Sequence, residues 1–274
     1  MSRTSYRHAD RAAGRLEGAL TRIARTGGKL IDPAVLFGIA VLVAFFLGLE
    51  WLIATDRVSR AVVALPSDAI AGMFSPDFRG DLIGACLLTF RLIAVAMILE
   101  VLVAIPVGYL LYRKPVLGTA YEGWLAALFA APLFLLYPLF MVIIGRNNYT
   151  LIFMGFIAGI IPIIIHARLA FMTVPQTLIN VGKSFNLPEA TIFRKIILPS
   201  GAPTIFSGIR LGLIYTLINI IAIEFLVDSG GLGRMISDRY FRFDIVGTYS
   251  AIAAVALVSI TLNLIISRLE KMVR

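Results

Sequence analysis

Residues 82–112, LIGACLLTFRLIAVAMILEVLVAIPVGYLLY, decide the fold class of this chain. The stretch carries only two charged side chains, Arg91 and Glu100, in an otherwise apolar sequence. The hydrocarbon core of a bilayer is about 30 Å thick and is crossed by about 20 helical residues. Because the stretch is longer than that, it predicts a membrane-spanning helix that is tilted or begins outside the bilayer.

The composition of the whole chain supports a membrane protein. Of its 274 residues, 59% are hydrophobic and 15% are charged. Soluble domains contain roughly 45–50% apolar and about 25% charged residues, and disordered chains are more polar still. With a single cysteine, Cys86, the chain cannot form a disulfide framework or a four-cysteine metal site. Its two histidines leave little material for a histidine-based metal or catalytic centre. We therefore expect no metal site and no catalytic centre.

Six apolar segments are long enough to cross a bilayer or nearly so, which predicts an all-α, polytopic helical bundle. Asp32 is the expected N-cap of the first segment, with Pro33 in its first turn. Prolines inside the segments should kink their helices. The segments are 33–53, 82–112, 124–144, 151–166, 205–227 and 245–266, and the prolines are Pro106, Pro132, Pro138 and Pro162.

The formal net charge of +9 is mainly a topology signal. Sixteen of the 25 Lys and Arg residues fall on one side of the predicted spans and seven on the other, while Arg91 and Arg210 lie in or beside spans. The side richer in basic residues is expected to be cytoplasmic, which places both termini there. Residues 1–32 then form a basic cytoplasmic arm without a cleavable signal peptide, and 33–274 form the transmembrane domain. No nucleic-acid partner is needed to explain the charge.

One connection, residues 167–204, is long and patterned, unlike the others. Leu178, Val181 and Phe185 recur at helical spacing, which predicts a short amphipathic helix. Pro188 disfavours helix at the residue before it, so a turn is expected there.

A second short helix is expected over 189–197, ended by Leu198-Pro199. The segment therefore predicts a helix–turn–helix that projects from the cytoplasmic face and docks a partner.

This loop resembles that of the permease subunits of bacterial ATP-binding-cassette (ABC) importers, in particular the nitrate/sulfonate/taurine type. Their loop pattern is Glu-Ala-Ala, three residues, Gly, nine residues and Ile-x-Leu-Pro. In this chain the end of the pattern is intact in Ile196-Ile197-Leu198-Pro199. The early positions depart from it, with Asn180, Val181 and Gly182 in place of Glu-Ala-Ala and Asn186 in place of Gly.

Further stretches resemble the same family, from about Leu65 to the C terminus. They are Leu65-Pro66-Ser67, Ile105-Pro106-Val107-Gly108, Glu224-Phe225-Leu226 and Ser229-Gly230-Gly231-Leu232-Gly233.

The resemblance implies a permease without catalytic chemistry of its own, located in the bacterial inner membrane. It implies two ATPase subunits that bind ATP and Mg²⁺, a soluble binding protein outside, and a second permease copy. A homodimer is expected, although the altered early loop residues leave room for a different second permease. The solute implied is small and anionic, such as nitrate, a sulfonate, taurine or a similar organic acid.

The resemblance also assigns the loop residues that dock the ATPase. They are Asn180, Gly182, Lys183, Ser184, Phe185, Asn186, Leu187, Pro188, Glu189, Leu198 and Pro199.

Polar residues within the spans are candidates for the translocation pathway, because charges in a membrane should face protein or water. The pathway candidates are Pro132, Tyr137, Asn219 and Glu224. For Arg91 and Glu100 the alternatives are a pathway position, an interhelical salt bridge or a helix end.

Parts of the sequence also resemble two other functional classes and one other kind of site. A proton- or ion-coupled secondary transporter would use Glu100 and Glu224 for coupling, but the chain lacks the paired halves of repeat-built transporters. An intramembrane hydrolase lacks a serine partner for His166. Gly182-Lys183-Ser184 resembles the end of a phosphate-binding loop, but Thr177 stands where that pattern requires a glycine.

Overall fold

The computed structural model describes residues 33–273. The predictions for the basic arm 1–32, including the Asp32 cap, lie outside these residues. Within them every regular element is helical and none is a strand, which confirms the all-α prediction. The helices are α1 (Pro33–Ala54), α2 (Pro66–Gly72), α3 (Pro76–Arg113), α4 (Pro115–Ala130), α5 (Tyr137–Ile144), α6 (Asn148–Met172), α7 (Gln176–Ser184), α8 (Glu189–Ile192), α9 (Leu198–Leu226), α10 (Gly231–Phe241) and α11 (Ile245–Val273).

The described residues contain five helical segments that are long and apolar enough to cross a membrane, and a sixth if one bent pair of helices counts as a span. This confirms the prediction of about six spans. Among the described residues, α1 and the turn that follows it to Arg57 belong to one compact unit, and Val58 begins a second. The end of the first unit is marked by Arg57, whose guanidinium carbon lies 6.0 Å from the centre of the Trp51 ring.

The bent pair is the third span, which sequence analysis predicted as one segment. Pro115–Ala130 and Leu133–Ile144 meet at an angle of 83°. Pro132 lies in the break and Pro138 in the first turn of α5, where a missing N–H costs no helical hydrogen bond. The kink predicted at Pro132 is therefore confirmed, whereas Pro106 and Pro162 lie inside the uninterrupted helices α3 and α6.

The expected end of the second loop helix at Leu198-Pro199 is wrong. Five residues in a π-helical turn, Phe193–Ile197, connect α8 directly to α9. The amide of Leu198 donates to the carbonyl of Phe193 across this wider turn. Pro199 then occupies the first turn of α9, where its lack of an N–H is tolerated. As a result, residues 176–197, here called the coupling segment, and the fifth span form one continuous helical path.

The bundle formed by Val58 and the residues after it has two ends. The loop face carries residues 173–197, and the turn face carries the end of α9, the start of α10 and the turn between them, residues 224–233. Arg113 at the end of α3 pairs with Glu189 at the loop face, while Thr89, in the first half of α3, contacts Leu232 at the turn face. The helix α3 therefore runs from the turn face to the loop face.

The centre of this bundle is α6, which packs between α3 and α9. Its N-cap is Asn147, whose side chain accepts a hydrogen bond from the amide of Thr150. Aliphatic side chains of the three helices form the core. Where helices pack in water, removal of such side chains from water is the main favourable term. Where they pack within lipid, close van der Waals contact between the helices takes its place. The buried core includes Leu92, Ile93, Leu151, Met154, Leu213, Ile220 and Ile223.

Candidate functional site

The coupling segment begins with α7, which has apolar side chains on two different faces. Ile179 and Gly182 are buried against the rest of the chain. Leu178, Val181 and Phe185 form a second stripe, here called the outer stripe, with 43%, 54% and 75% of their surface exposed. A helix that is apolar on two sides and covered on only one has a face available for a partner.

The end of α7 has a defined geometry. Asn186 has a φ of 52°, in the left-handed region. The amide of Asn186 donates to the carbonyl of Lys183, and the amide of Leu187 donates to the carbonyl of Gly182. These two bonds form a Schellman motif, which needs glycine or asparagine at its left-handed position. Asparagine is, after glycine, the residue best suited to this position, so Asn186 can stand where the family pattern has glycine.

The covered face of α7 fits closely onto the following helical turns. A Cβ atom on Gly182 would lie 2.8 Å from Cδ1 of Ile196 and 3.1 Å from Cγ1 of Ile192. The helix can approach these side chains because residue 182 has no side chain. Gly182 thus serves packing within the chain and does not present a side chain to a partner.

An aromatic cluster fastens the segment to the spans. The rings of Tyr109 on α3 and Phe193 lie 4.2 Å apart between centroids, and Phe171 on α6 lies 5.7 Å from Tyr109 and 5.6 Å from Phe193. At the surface, the guanidinium of Arg113 pairs with the carboxylate of Glu189 at 2.9 Å. Movement of the coupling segment would therefore be transmitted to α3 and α6 as well as to α9.

The structure separates the predicted docking residues into three groups. Leu187 and Leu198 are half-buried and pack against the chain's own core, and Gly182 is buried. The others are exposed: Asn180, Lys183, Ser184, Phe185, Asn186, Pro188, Glu189 and Pro199. Lys183 lies within α7, so the glycine-rich strand-to-helix turn of a phosphate-binding loop is not present there.

At the turn face, Glu224 joins three helices. Its fully buried carboxyl group accepts from the Thr89 hydroxyl, which lies 2.8 and 2.9 Å from its two oxygens. The amide of Gly233 donates to Oε2 of Glu224 at 3.0 Å, and the amide of Leu232 donates to Oγ of Thr89 at 2.9 Å. We call this the turn-face contact. It satisfies two of the free amides at the start of α10, which otherwise lack partners.

The glycines before α10 make the turn-face contact possible. Gly230 and Gly231 have φ values of 83° and 86°, which favour glycine. A Cβ on Gly231 would also collide with the carboxyl group of Glu224.

Glu100 lies in the middle of the bundle and is also fully buried. Its Oε1 accepts from the Thr216 hydroxyl on α9 at 2.6 Å, while Oε2 has no hydrogen-bond partner among the described residues. A Cβ on Gly159 of α6 would collide with both side chains. Of the sequence alternatives for Glu100, neither a salt bridge nor a helix end is found among the described residues. The carboxyl group instead joins three helices through a hydroxyl.

Arg91 differs from both glutamates because it is exposed on α3. It lines a cavity of about 500 Å³ together with Asn147, Asn148 and Tyr149. No ion pair is found for it among residues 36–272. A pathway position or a contact outside this chain therefore fits Arg91 better than an internal salt bridge.

The four predicted pathway residues do not form one group. Pro132 is exposed at the break of the third span, while Tyr137 and Glu224 are buried. Asn219 is 6% exposed, and its Oδ1 has no partner among the described residues. The burial of Glu224 favours a role in holding the turn in this conformation, and its pathway role stays a prediction.

Sequence reasoning missed the partners of the two glutamates. Thr89 and Thr216 are single threonines in apolar segments, and no periodicity or spacing distinguishes them from packing residues. Leu178 and Val181 were recognised as one face of a helix but were not assigned to docking. Their helical spacing could have predicted docking, because an apolar face on a helix outside the membrane is unfavourable unless something covers it.

Comparison with known families gives a match over residues 100–274. The family is described as "Binding-protein-dependent transport system inner membrane component". The match covers more than half of the chain and includes the coupling segment, both ends of α9 and the turn face.

Individual relatives are similar over most of the chain. A probable ABC transporter permease protein of Brucella melitensis is 23% identical over 230 residues, which are 84% of this chain and 94% of that protein. A nitrate import permease protein of Leptolyngbya laminosa is 24% identical over 247 residues, covering 87% and 88% of the two chains. A bicarbonate transport system permease protein of a Synechocystis strain is 33% identical over 178 residues, covering 64% and 63%.

Among solved structures, the fold is similar to a chain of the MetNI methionine ABC transporter in an inward-facing conformation. The TM-score is 0.63 at 17% identity, and the match covers 73% of this chain and all of the other. An identity this low supports the fold alone. The family match and the named relatives lead to one conclusion: the chain belongs to the binding-protein-dependent transport system inner membrane components and is the permease of an ABC importer.

Proposed function

We propose that this permease forms, with a second copy of itself, the translocation pathway for a small anionic solute. Two cytoplasmic ATPase subunits dock on the loop face, and a soluble binding protein delivers the solute to the turn face. ATP and Mg²⁺ are bound by the ATPase subunits. The chain itself carries out no catalytic step.

The outer stripe is the observation that carries this proposal. Leu178, Val181 and Phe185 present an apolar surface at the end of the bundle expected to face the cytoplasm. Their exposure to water is unfavourable, and a partner with an apolar cleft removes it. A lipid surface is a poorer occupant, because the polar side chains of Asn180, Lys183 and Ser184 lie on the same short helix.

The connection of the coupling segment to the spans supports a role in transmission. The π-helical turn runs directly into α9, and the aromatic cluster holds Phe193 against α3 and α6. A rigid element that is packed on three spans can shift them together when its partner closes.

The anionic class of the solute is supported by two kinds of observation. The relatives include proteins named as nitrate and bicarbonate permeases. The described spans also hold an exposed arginine, Arg91, beside a cavity. Pro132 at the broken span and Asn219 on α9 remain pathway candidates, and both termini are proposed to be cytoplasmic from the distribution of basic residues.

A secondary transporter is the poorer alternative. It would use Glu100 and Glu224 as coupling sites, but both carboxyl groups are fully buried and hydrogen-bonded to threonines. Membership of an ABC importer family also favours an ATP-driven mechanism.

The test is purification of the tagged full-length chain from its native membrane in mild detergent, with quantification of co-purified ABC ATPase by mass spectrometry. We expect Phe185→Asp to reduce ATPase recovery at least tenfold, because a charge would enter an apolar contact. The thermal unfolding temperature of the permease should not change, since Phe185 is 75% exposed.

The matched control is Gln176→Glu, which adds one negative charge to the polar side of the same helix. Gln176 is exposed and hydrogen-bonds Asn180. We expect this variant to keep the ATPase. Failure of the unmodified chain to retain any ATPase after crosslinking would refute the proposed function, and equal recovery with Phe185→Asp would refute the docking surface.

A further inference from the structure

Arg91 lies at a specific depth in the bundle. At a rise of 1.5 Å per residue, it is about 33 Å along α3 from Arg113. Arg113 marks the loop face, because it pairs with Glu189 of the coupling segment. The hydrocarbon core is about 30 Å thick. With α3 along the membrane normal, this distance would place the guanidinium of Arg91 where the core ends on the turn-face side.

The start of α6 lies at the same level, and a cavity of about 500 Å³ separates the two helices there. Its polar lining consists of Arg91, Asn147, Asn148 and Tyr149, and its apolar lining includes Leu92 and Val95. No carboxylate lines this cavity.

The donors around this cavity are largely unused within the chain. Asn147 is engaged as the cap of α6, because its side chain accepts from the Thr150 amide and donates to the carbonyl of Ile144. Among the described residues, no hydrogen bond or ion pair is found for the side chains of Arg91, Asn148 and Tyr149. A guanidinium, a carboxamide and a phenol can all donate hydrogen bonds.

A second cavity provides a contrast. It has about 680 Å³ and lies between α3 and α10 at the turn face. Its three arginines are all paired with aspartates: Arg234 with Asp228 and Asp238, Arg239 with Asp81 and Asp244, and Arg242 with Asp238. The arginines of the second cavity are therefore neutralised by aspartates, whereas Arg91 in the first cavity has no carboxylate partner among the described residues.

We propose that the cavity formed by Arg91, Asn148 and Tyr149 binds an oxyanion. A guanidinium presents a planar pair of donors that matches carboxylate, sulfonate, nitrate or phosphate oxygens. The start of α6 adds a favourable field for negative charge. The volume admits such an anion together with an apolar group, which can pack against the aliphatic wall of Leu92 and Val95.

Two sources can supply this chemistry. One is the anionic solute as it enters from the turn face, and this source rests on the proposed function. The other is the phosphate of a lipid headgroup, which lies at the same depth. The shared chemistry is an oxyanion held by Arg91, and the experiment separates the two sources.

The experiment uses the full-length permease purified in mild detergent, together with any ATPase that it retains. Thermal unfolding is followed with sodium nitrate, bicarbonate or methanesulfonate, against sodium chloride at constant ionic strength. We expect a saturable rise in the unfolding temperature with at least one of the three oxyanions, because a ligand that binds the folded state stabilises it. Arg91→Gln should weaken this response at least tenfold, and Arg91→Lys should retain part of it.

The matched control is Arg79→Gln, on the same helix. The guanidinium of Arg79 is bound to the carbonyl of Phe74 and lies outside the cavity. This variant should keep the oxyanion response. Recovery of the ATPase in each preparation reports separately on the proposed function, so that the two can fail independently.

Native mass spectrometry of the same preparations tests the lipid source. Retention of phosphatidylglycerol by the unmodified chain and its loss in Arg91→Gln, without a response to small oxyanions, would assign the site to a headgroup. The proposal is overturned if neither small oxyanions nor lipid distinguish the unmodified chain from Arg91→Gln.

Discussion

The turn face and the loop face differ in whether their side chains find partners within the chain. At the turn face, the Glu224 carboxyl group, the Thr89 hydroxyl and two backbone amides all find partners within the chain. At the loop face, the outer stripe of α7 faces outward without a partner among the described residues. The comparison indicates that the turn face is held by the chain's own contacts, whereas the loop face offers the apolar surface on which we propose that another subunit docks.

The largest effect on stability is expected from Glu224→Leu. The substitution leaves the Thr89 hydroxyl and the Gly233 amide without their acceptor in a buried site. Unsatisfied buried groups of this kind cost about 1–3 kcal/mol each. We therefore expect the free energy of unfolding to fall by about 3 kcal/mol, with a much smaller loss for Glu224→Gln, which still accepts.

Thermal unfolding of the purified permease in detergent measures this effect. Equal unfolding temperatures for Glu224→Leu and the unmodified chain would show that the turn face does not depend on this contact. The comparison between the two faces would then be lost.

An intermediate effect is expected from Asn186→Val at the loop face. A β-branched residue must adopt a φ near the 52° of Asn186, which costs about 1–2 kcal/mol. Asn186→Gly is the matched control, because glycine enters the left-handed region without strain. Thermal unfolding should show a loss for valine and little change for glycine, and the same loss with both would contradict the Schellman geometry.

The smallest effect is expected from Arg113→Ala. The side chains of Arg113 and Glu189 are 45% and 73% exposed, and ion pairs at such positions contribute about 0–1 kcal/mol. The unfolding temperature should change little and become less dependent on salt. A loss as large as that of Glu224→Leu would mean that this ion pair, rather than the aromatic cluster, fastens the coupling segment.

Sequence reasoning located the coupling segment but misjudged its second half. The helical spacing of Leu178, Val181 and Phe185 predicted α7, which the structure contains. The break expected at Pro199 is absent, because a π-helical turn lets the chain continue into α9. Residue preferences predict that a helix ends before a proline. Here the wider turn comes just before Pro199, which falls in the first turn of α9, where a missing N–H is tolerated. Leu187, predicted to dock the ATPase, is half-buried and packs against the chain's own core, and its docking role stays a prediction.

The sequence by itself determined the class of this protein, because long apolar segments can satisfy their backbone groups in a membrane only as helices or closed barrels. Its order of motifs also identified the importer family. The tertiary structure alone decided what the polar residues in the spans do. Glu100 contacts Thr216, which is 116 residues away in sequence, and Glu224 contacts Thr89, which is 135 residues away. Arg91, on α3 like Glu100, lines a cavity instead. Contacts between distant segments depend on how helices pack, and that information is not present in any single stretch of residues.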